Sequence, residues 1–302
     1  MHEGELPFDD GVAARLIARE FPELGDLPRE RVRSTGTVNT IIRVGEELVA
    51  RFPLLGASAA ELRAEAHAVE ELAAACPFPA PRPVGVGAAS DEYPSAWSLH
   101  TWIDGETAHH DRHATSESLA RDLATLILSL RKVPVRGRVF DGNGRGGDLA
   151  GHDEWMTECF ARSGHLLDVP RATALWTTLR ALPRAGADVM SHRDLTPFNL
   201  LVAEGDGEAR LAGVLDSGSF GPADPALDLV AAWHLLDAPA RQTLREAVGA
   251  DDREWRRGAA WAFQQAMGLG WYYETSNPPM AALGLSTMHR LLADEELVAL
   301  LG

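Results

Sequence analysis

Cysteine is scarce: Cys76 and Cys159 are the only two in 302 residues. Two thiols make no disulfide framework, and they fit a reduced, cytoplasmic setting. Basic residues are also few, with 28 Lys and Arg against 44 Asp and Glu, a formal net charge of −16. That balance argues against a nucleic-acid partner held through phosphate contacts; it suits solubility and a cationic partner. Long apolar runs are missing. No stretch approaches the roughly 18 residues that a membrane span needs, and no membrane association is expected. The opening "MHEGELPFDD" is acidic and lacks the apolar stretch of a signal peptide. Internal repeats and low-complexity segments are absent. What remains is ordinary globular composition, 45% hydrophobic and 24% charged, over a length that suits two lobes or domains.

The first hundred residues read as helix, hairpin, helix, strand. "DDGVAARLIAREFPEL" (9–24) places Val12, Leu16 and Ile17 on one face. The β-rich runs Thr40–Val44 and Leu48–Phe52 flank "GEE", a hairpin signal. "ASAAELRAEAHAVEELAAA" is a helix, and the prolines of "FPAPRPVGVG" end it. "AWSLHTWIDGE" reads as a buried strand running into a turn. The rest is mostly helical. Helices are expected over 116–133 with Ser116 as N-cap, 152–162, 168–182, near 223–237 with Asp224 as N-cap and Pro225 at the first helical position, 239–248, 252–273 and 286–300. The composition shifts near Asp104-Gly105, which gives an α+β part over 1–103 and a largely α part over 104–302.

"SHRDLTPFNLLV" (191–202) sets three strongly polar residues and a proline directly before an apolar run. Leu200, Leu201 and Val202 read as a strand, "EGDGEA" as a turn and "RLAGVLD" as the returning strand. Antiparallel pairing brings residue 199 near residue 215 or 216. Asp194, Asn199 and Asp216 then converge at one end of the hairpin, two carboxylates and an amide oxygen. Hard oxygen donors of this kind suit Mg²⁺. Only four asparagines occur, at 39, 143, 199 and 277. One of them completes His-x-Asp-x₄-Asn, followed by a hairpin and Asp-x-Gly, the order of catalytic loop and magnesium loop in kinases.

With "GVLDSGSFGPADPALDLVAAWHLL" added, and above all Asp216-x-Gly218 followed by Asp224-Pro225-x-x-Asp228, the chain resembles the aminoglycoside phosphotransferase family of kinase-like small-molecule kinases. The resemblance extends over most of the chain. It implies a bilobal, protein-kinase-like α+β fold: a small N-lobe with an antiparallel sheet and one or two helices, and a larger, mostly helical C-lobe. It implies transfer of the γ-phosphoryl group of ATP or GTP, with Mg²⁺, to a hydroxyl of a small molecule. On it, Asp194 corresponds to the catalytic base and Asn199 and Asp216 to the magnesium ligands. His192 packs the catalytic loop, and Asp228 reaches back to fix that loop.

On the nucleotide side the resemblance makes "STGTVNTIIRV" the phosphate-covering hairpin, with Thr37 and Asn39 beside the nucleotide. If Val44 pairs near Leu48, Arg51 lies opposite Thr40 or Ile41, next to that hairpin. The family usually has lysine there. Arg51 is read as a phosphate ligand, the alternative being a solvated edge-strand charge. Its helix partner is Glu65, or Glu61 one turn earlier. The adenine is expected against backbone groups of His100, Trp102 and Ile103. An aminoglycoside-like, cationic acceptor is expected to meet acids among Asp153, Glu154, Glu158 and Glu274, each alternatively a solvated helix charge. Trp271, Tyr272 and Tyr273 stack on sugars or belong to the core. "GNGRGGDL" (142–149) is a substrate loop or a surface connection. "HHDRH" (109–113) is a metal site or a turn. A macrolide, homoserine or sugar acceptor, a nucleotide-binding pseudokinase and a paired-carboxylate hydrolase are the rival functions.

Overall fold

Asp9 starts the first helix, α1 (Asp10–Glu20), by accepting a hydrogen bond from the Val12 N–H at 2.8 Å. The helix ends at Phe21, because Pro22 opens a separate 3₁₀ turn over Pro22–Leu24. The computed structural model describes residues 5–32, 38–205 and 207–301. Its chain forms two units. Of the described residues, one comprises those within 5–74, 79–104 and 216–219; the other comprises those within 75–78, 105–215 and 220–301.

The first unit is built on a five-stranded antiparallel sheet of β1 (Arg29–Arg31), β2 (Asn39–Val44), β3 (Leu48–Pro53), β4 (Pro83–Gly87) and β5 (Trp97–Thr101), in the order β1-β2-β3-β5-β4. α2 (Ala59–Ala75) follows β3. Its start is a capping box. The Ser58 N–H donates to Glu61, and the Glu61 N–H donates to the Ser58 hydroxyl. Strand β4 lies in "RPVGVG", where prolines suggested only a break. Pro83 is tolerated because β4 is an edge strand. The two glycines of β4 make room for rings. A Cβ on Gly85 would lie 2.7 Å from Phe21, and one on Gly87 would lie 2.1 Å from Trp97. Leu16, Ile17, Ile42, Val44, Phe52, Tyr93, Trp97 and Leu99 form the core. Phe52 and Trp97 stack at 5.0 Å. Burial of each such side chain contributes about 1.5–3 kcal/mol.

The second unit is mainly helical. Its strands are β6 (Glu106–Thr107), β7 (Val189–Ser191), β8 (Leu200–Gly205), β9 (Glu208–Val214) and β10 (Gly221–Ala223). β6, β8 and β9 form one small sheet, and β7 pairs with β10 in another. The helices are α3 (Glu117–Arg131), α4 (Asp153–Arg162), α5 (Val169–Leu179), α6 (Val230–Leu235), α7 (Ala238–Val248), α8 (Asp252–Ala266), α9 (Leu269–Tyr272), α10 (Pro278–Ala293) and α11 (Glu295–Val298). Ser116 caps α3, as its position suggests. Trp233, Trp261 and Phe263 are fully buried. Among the described residues no helix is long and apolar enough to cross a membrane.

Three expectations need correction. The last long helix starts at Pro278, not near 286, because Asn277 caps it and the two prolines occupy its first turn, where no N–H is required. The expected 252–273 helix is α8 and α9, separated at Met267-Gly268. Asp224 caps no α-helix: residues 221–223 are strand, a 3₁₀ turn spans Leu227–Leu229, and α6 begins only at Val230. The Asp224 carboxylate instead forms a buried ion pair with Arg257 of α8 and accepts from Trp261 Nε1 at 3.1 Å. A charge pair without access to water outweighs one cap hydrogen bond.

Candidate active site

In the second unit β7 delivers the chain into residues 192–199, and a buried carboxylate frames that loop. Asp228, 2% exposed, accepts from the Ser191 hydroxyl at 2.8 Å, the His192 N–H at 3.1 Å and the Arg193 N–H at 3.2 Å. Those bonds hold Arg193 in a left-handed conformation, φ 70°, that a branched or bulky residue seldom adopts unaided. His192 is fully buried. Its Nε2–H donates to the Leu215 carbonyl at 2.9 Å, and Nδ1 accepts from the Asp194 N–H at 3.3 Å. The imidazole therefore ties the start of the loop to the end of β9.

Asn199 sits at the end of the loop. Its side-chain N–H₂ donates to the Asp194 carbonyl at 2.9 Å and to the Asp194 carboxylate at 3.0 Å. Its backbone carbonyl accepts from the Leu215 N–H at 2.8 Å, one step beyond the Leu200–Val214 register pair of β8 and β9. Of the two expected partners, 215 and 216, residue 199 meets Leu215, after a register shift between Leu201 and Val202, and Asp216 is next along the chain. The other Asp194 oxygen meets Arg145 Nη1 at 3.0 Å.

In the first unit Ile41 is the Cα partner of Arg51, and Val44 that of Leu48. The Arg51 guanidinium divides its arms between Asp216 at 2.7 Å and Glu65 at 3.2 Å. Glu61 is not the partner, since the capping box engages it. Asp216 adopts a left-handed conformation, φ 56°. Gly218 explains the Asp-x-Gly spacing: a Cβ there would lie 2.3 Å from the Glu65 side chain. Gly36 and Thr37 lie outside the described residues; Asn39 begins β2 opposite Pro53. Among the residues named for adenine, His100 is inside the sheet, paired with Val49 and Pro83. The Trp102 N–H is bonded to the Glu47 carbonyl at 2.6 Å, and its ring carries Arg43 at 4.8 Å. Ile103 follows the strand, outside the ladder.

Burial, aided by the charge of Arg51, pushes the His100 imidazole down to about 4. Burial does the same to His234 of α6, also to about 4, although Gln265 bonds its ring. Both rings are neutral in the folded chain, whereas an unfolded histidine titrates near 6.5. Stability is therefore full above about pH 6.5 and is lost as pH falls toward 4. The loss is about 2 kcal/mol per histidine at pH 5. Urea unfolding at pH 7 and pH 5 checks this. The His234→Gln variant should show a pH-dependent loss smaller than the wild type's by about 2 kcal/mol; an unchanged slope would remove His234 from the account.

The acids named for an acceptor do not form one cluster. Asp153 accepts from Trp176 Nε1 at 3.1 Å and pairs with Arg180 at 2.8 Å. Glu158 pairs with Arg162 at 2.8 Å, and Glu274 with His165 at 3.2 Å. Glu154 is exposed on α4. The Trp155, Trp271, Tyr272 and Tyr273 rings pack on one another, with Trp155 and Tyr272 partly exposed. "HHDRH" is a self-bonded turn: His113 Nδ1 accepts from the His109 N–H, and His109 Nδ1 from the Asp111 N–H. Among the described residues no three His, Cys, Asp or Glu side chains are grouped to hold a metal ion. Sequence reasoning missed Arg145 and Arg257. For Arg257 a signal existed, since it is a charge on the apolar stripe of α8 between Trp255 and Trp261.

A five-stranded sheet unit, a helical unit and a loop of this order together define a kinase-like fold. A profile of the phosphotransferase enzyme family matches residues 30–261. The chain belongs to that family of phosphotransferases. Among solved structures, the GDP complex of an aminoglycoside 2'-phosphotransferase of type IIIa aligns at TM-score 0.68 and 17% identity, covering 93% of this chain and 98% of that one. A GDP and kanamycin complex of a type IIIa enzyme aligns at TM-score 0.67 and 19% identity, covering 95% and 98%. A macrolide 2'-phosphotransferase from Brachybacterium faecium aligns at 0.58 and 18%, covering 91% and 97%. At these identities the likeness is one of fold. Curated protein sequences give no significant match.

Proposed function

We propose that the chain transfers the γ-phosphoryl group of ATP or GTP to a hydroxyl of a small molecule, with Asp194 as general base. The observation that carries this reading is the hydrogen-bonded frame of the 192–199 loop. Asp228 fixes its backbone, and Asn199 holds one oxygen of the Asp194 carboxylate. A carboxylate held in this way can orient an acceptor hydroxyl and take its proton as the phosphoryl group leaves the nucleotide. Since charge spreads over the phosphoryl oxygens in the transition state, position and electrostatics do most of the work, and few residues are needed.

Asn199 and Asp216 are the proposed Mg²⁺ ligands. The donor set fits. With its N–H₂ turned to Asp194, Asn199 keeps its Oδ1 for a cation, and Asp216 adds a carboxylate. When bound, Mg²⁺ would neutralise phosphate charge. Arg51 is the proposed phosphate ligand. Asp216 and Glu65 already draw its guanidinium to one place, and a planar fork grips phosphate with two N–H groups. A cationic, aminoglycoside-like acceptor has in its favour the kanamycin complex of one of the similar solved structures. Of its proposed acids, however, Asp153 and Glu158 are engaged with arginines of this chain and Glu274 with His165.

Coupled ADP release with ATP or GTP, with and without Mg²⁺, tests the reaction across hydroxyl compounds. Arg51→Ala is expected to raise the nucleotide KM about ten- to hundredfold, the weight of one or two charge-assisted hydrogen bonds. Arg51→Lys should stay within about tenfold of wild type, since it keeps the charge but not the fork. Nucleotide binding without turnover on any acceptor would favour a pseudokinase. Two Arg51 variants equal to wild type would remove the phosphate contact.

A further inference from the structure

Arg145 is a cation set against the proposed base. Its Nη1 lies 3.0 Å from Asp194 Oδ1, and both side chains are 36% exposed. The position is built. On one side of Arg145, the Phe140 N–H donates to Asp188 at 2.8 Å, Arg193 pairs with Asp141 at 3.1 Å and bonds the Asn143 carbonyl, and the Arg193 guanidinium lies 4.9 Å from the Phe140 ring centre. On the other side, the Asp224 N–H donates to the Gly146 carbonyl at 2.8 Å and Arg257 Nη2 to that of Gly147 at 3.3 Å. Gly146 has φ 128°, and a Cβ there would lie 2.7 Å from the Ala223 Cβ, so only glycine fits the bend. The chain is pinned before and after Arg145, and its charge is held beside Asp194.

A guanidinium has five N–H donors. Among the described residues Arg145 uses one nitrogen, toward Asp194, and the rest of its fork is open to a ligand. The neighbouring Arg193 is occupied by Asp141 and Asn143. A polycation bringing a hydroxyl to Asp194 would meet this fixed like charge. An acceptor with an anionic group near that hydroxyl would find a bidentate partner.

We infer that the acceptor carries an anionic group, a carboxylate or a phosphate, near the hydroxyl that is phosphorylated, and that Arg145 binds it. This rests on Asp194 being the base that meets that hydroxyl. Matched acceptors test it in the ADP-release assay: gluconate against glucitol, glycerate and glycerol 3-phosphate against glycerol, and kanamycin as the cationic arm. The carboxylate and phosphate arms separate the two anion sources. For wild type, kcat/KM for an anionic acceptor should exceed that of its neutral partner by at least about tenfold, the weight of one charged hydrogen-bonded pair. Arg145→Met should reduce that ratio by about the same factor, through KM rather than kcat, and Arg145→Lys should restore part of it. Arg145→Glu should turn the preference toward amines. Equal use of charged and neutral partners would overturn the inference, as would turnover confined to kanamycin or the polyols; both would leave the phosphotransfer reading intact. A wild type that binds Mg²⁺-nucleotide but releases no ADP with any arm would overturn both.

Discussion

Asp194→Asn should lower kcat by about 10²- to 10⁴-fold, about 3–5 kcal/mol of barrier, while leaving Mg²⁺-nucleotide affinity near the wild-type value. The substitution is mild in structure. An asparagine keeps an oxygen for Arg145, where Asp194 Oδ1 now lies at 3.0 Å, and the Asp194 backbone carbonyl still accepts from Asn199. What it removes is the basic oxygen. Arg51, Glu65 and Asp216, on the proposed phosphate and metal side, are untouched, and Asn199 loses only its side-chain bond to residue 194 while keeping the one to the backbone carbonyl. The loss should therefore fall on kcat and not on nucleotide binding, the sign of a group acting in the transition state. Steady-state ADP release and nucleotide titration on the same sample check both halves. Turnover within about threefold of wild type would show that Asp194 is not the base. A parallel loss of nucleotide affinity would mean that it serves the metal instead.

Much of this site could be read from the chain because it is local. The loop 192–199, the hairpin β8–β9 and Asp216 follow one another within 25 residues, and antiparallel register is arithmetic once the turn is recognised. Arg51 could be placed for the same reason, by counting forward from the "GEE" turn. Its choice of Glu65 over Glu61 is settled by the capping box with Ser58, a competition between two local signals that spacing alone leaves open. Arg51 also stands in a chain whose only lysine is Lys132, so the usual cation at that place is not simply displaced to a neighbour. Hidden from the sequence was everything that depends on long-range packing. Strand β4 looked like a break, because what redeems its proline and glycines is an edge position and two rings far along the chain. Asp224 looked like a helix cap, because its cation is 33 residues away. Arg145 looked like part of a glycine-rich connection, because Asp194 is 49 residues away and no periodicity joins them.

The other large effect should come from Arg257. Arg257→Met is expected to lower the unfolding free energy of the helical unit by about 3–5 kcal/mol. The Arg257 and Asp224 side chains are 3% and 0% exposed, so water cannot replace the missing partner. Asp224 would keep hydrogen bonds from the Ala226 N–H and Trp261 Nε1, but its charge would be stranded. The arginine has further work. It donates to the Leu182 and Gly147 carbonyls, and the second of these anchors the segment that carries Arg145. Two variants separate the effects. Asp224→Asn/Arg257→Met removes both charges and should recover more than half of the loss in urea unfolding, because desolvated charge is the larger part of the penalty. It should not recover the acceptor preference attributed to Arg145, since the anchor at Gly147 is still missing. An Arg257→Met midpoint corresponding to a loss below about 1 kcal/mol would show that the pair is not a structural lock. Recovery of stability together with the charge preference would show that the 140–147 segment holds its shape without Arg257.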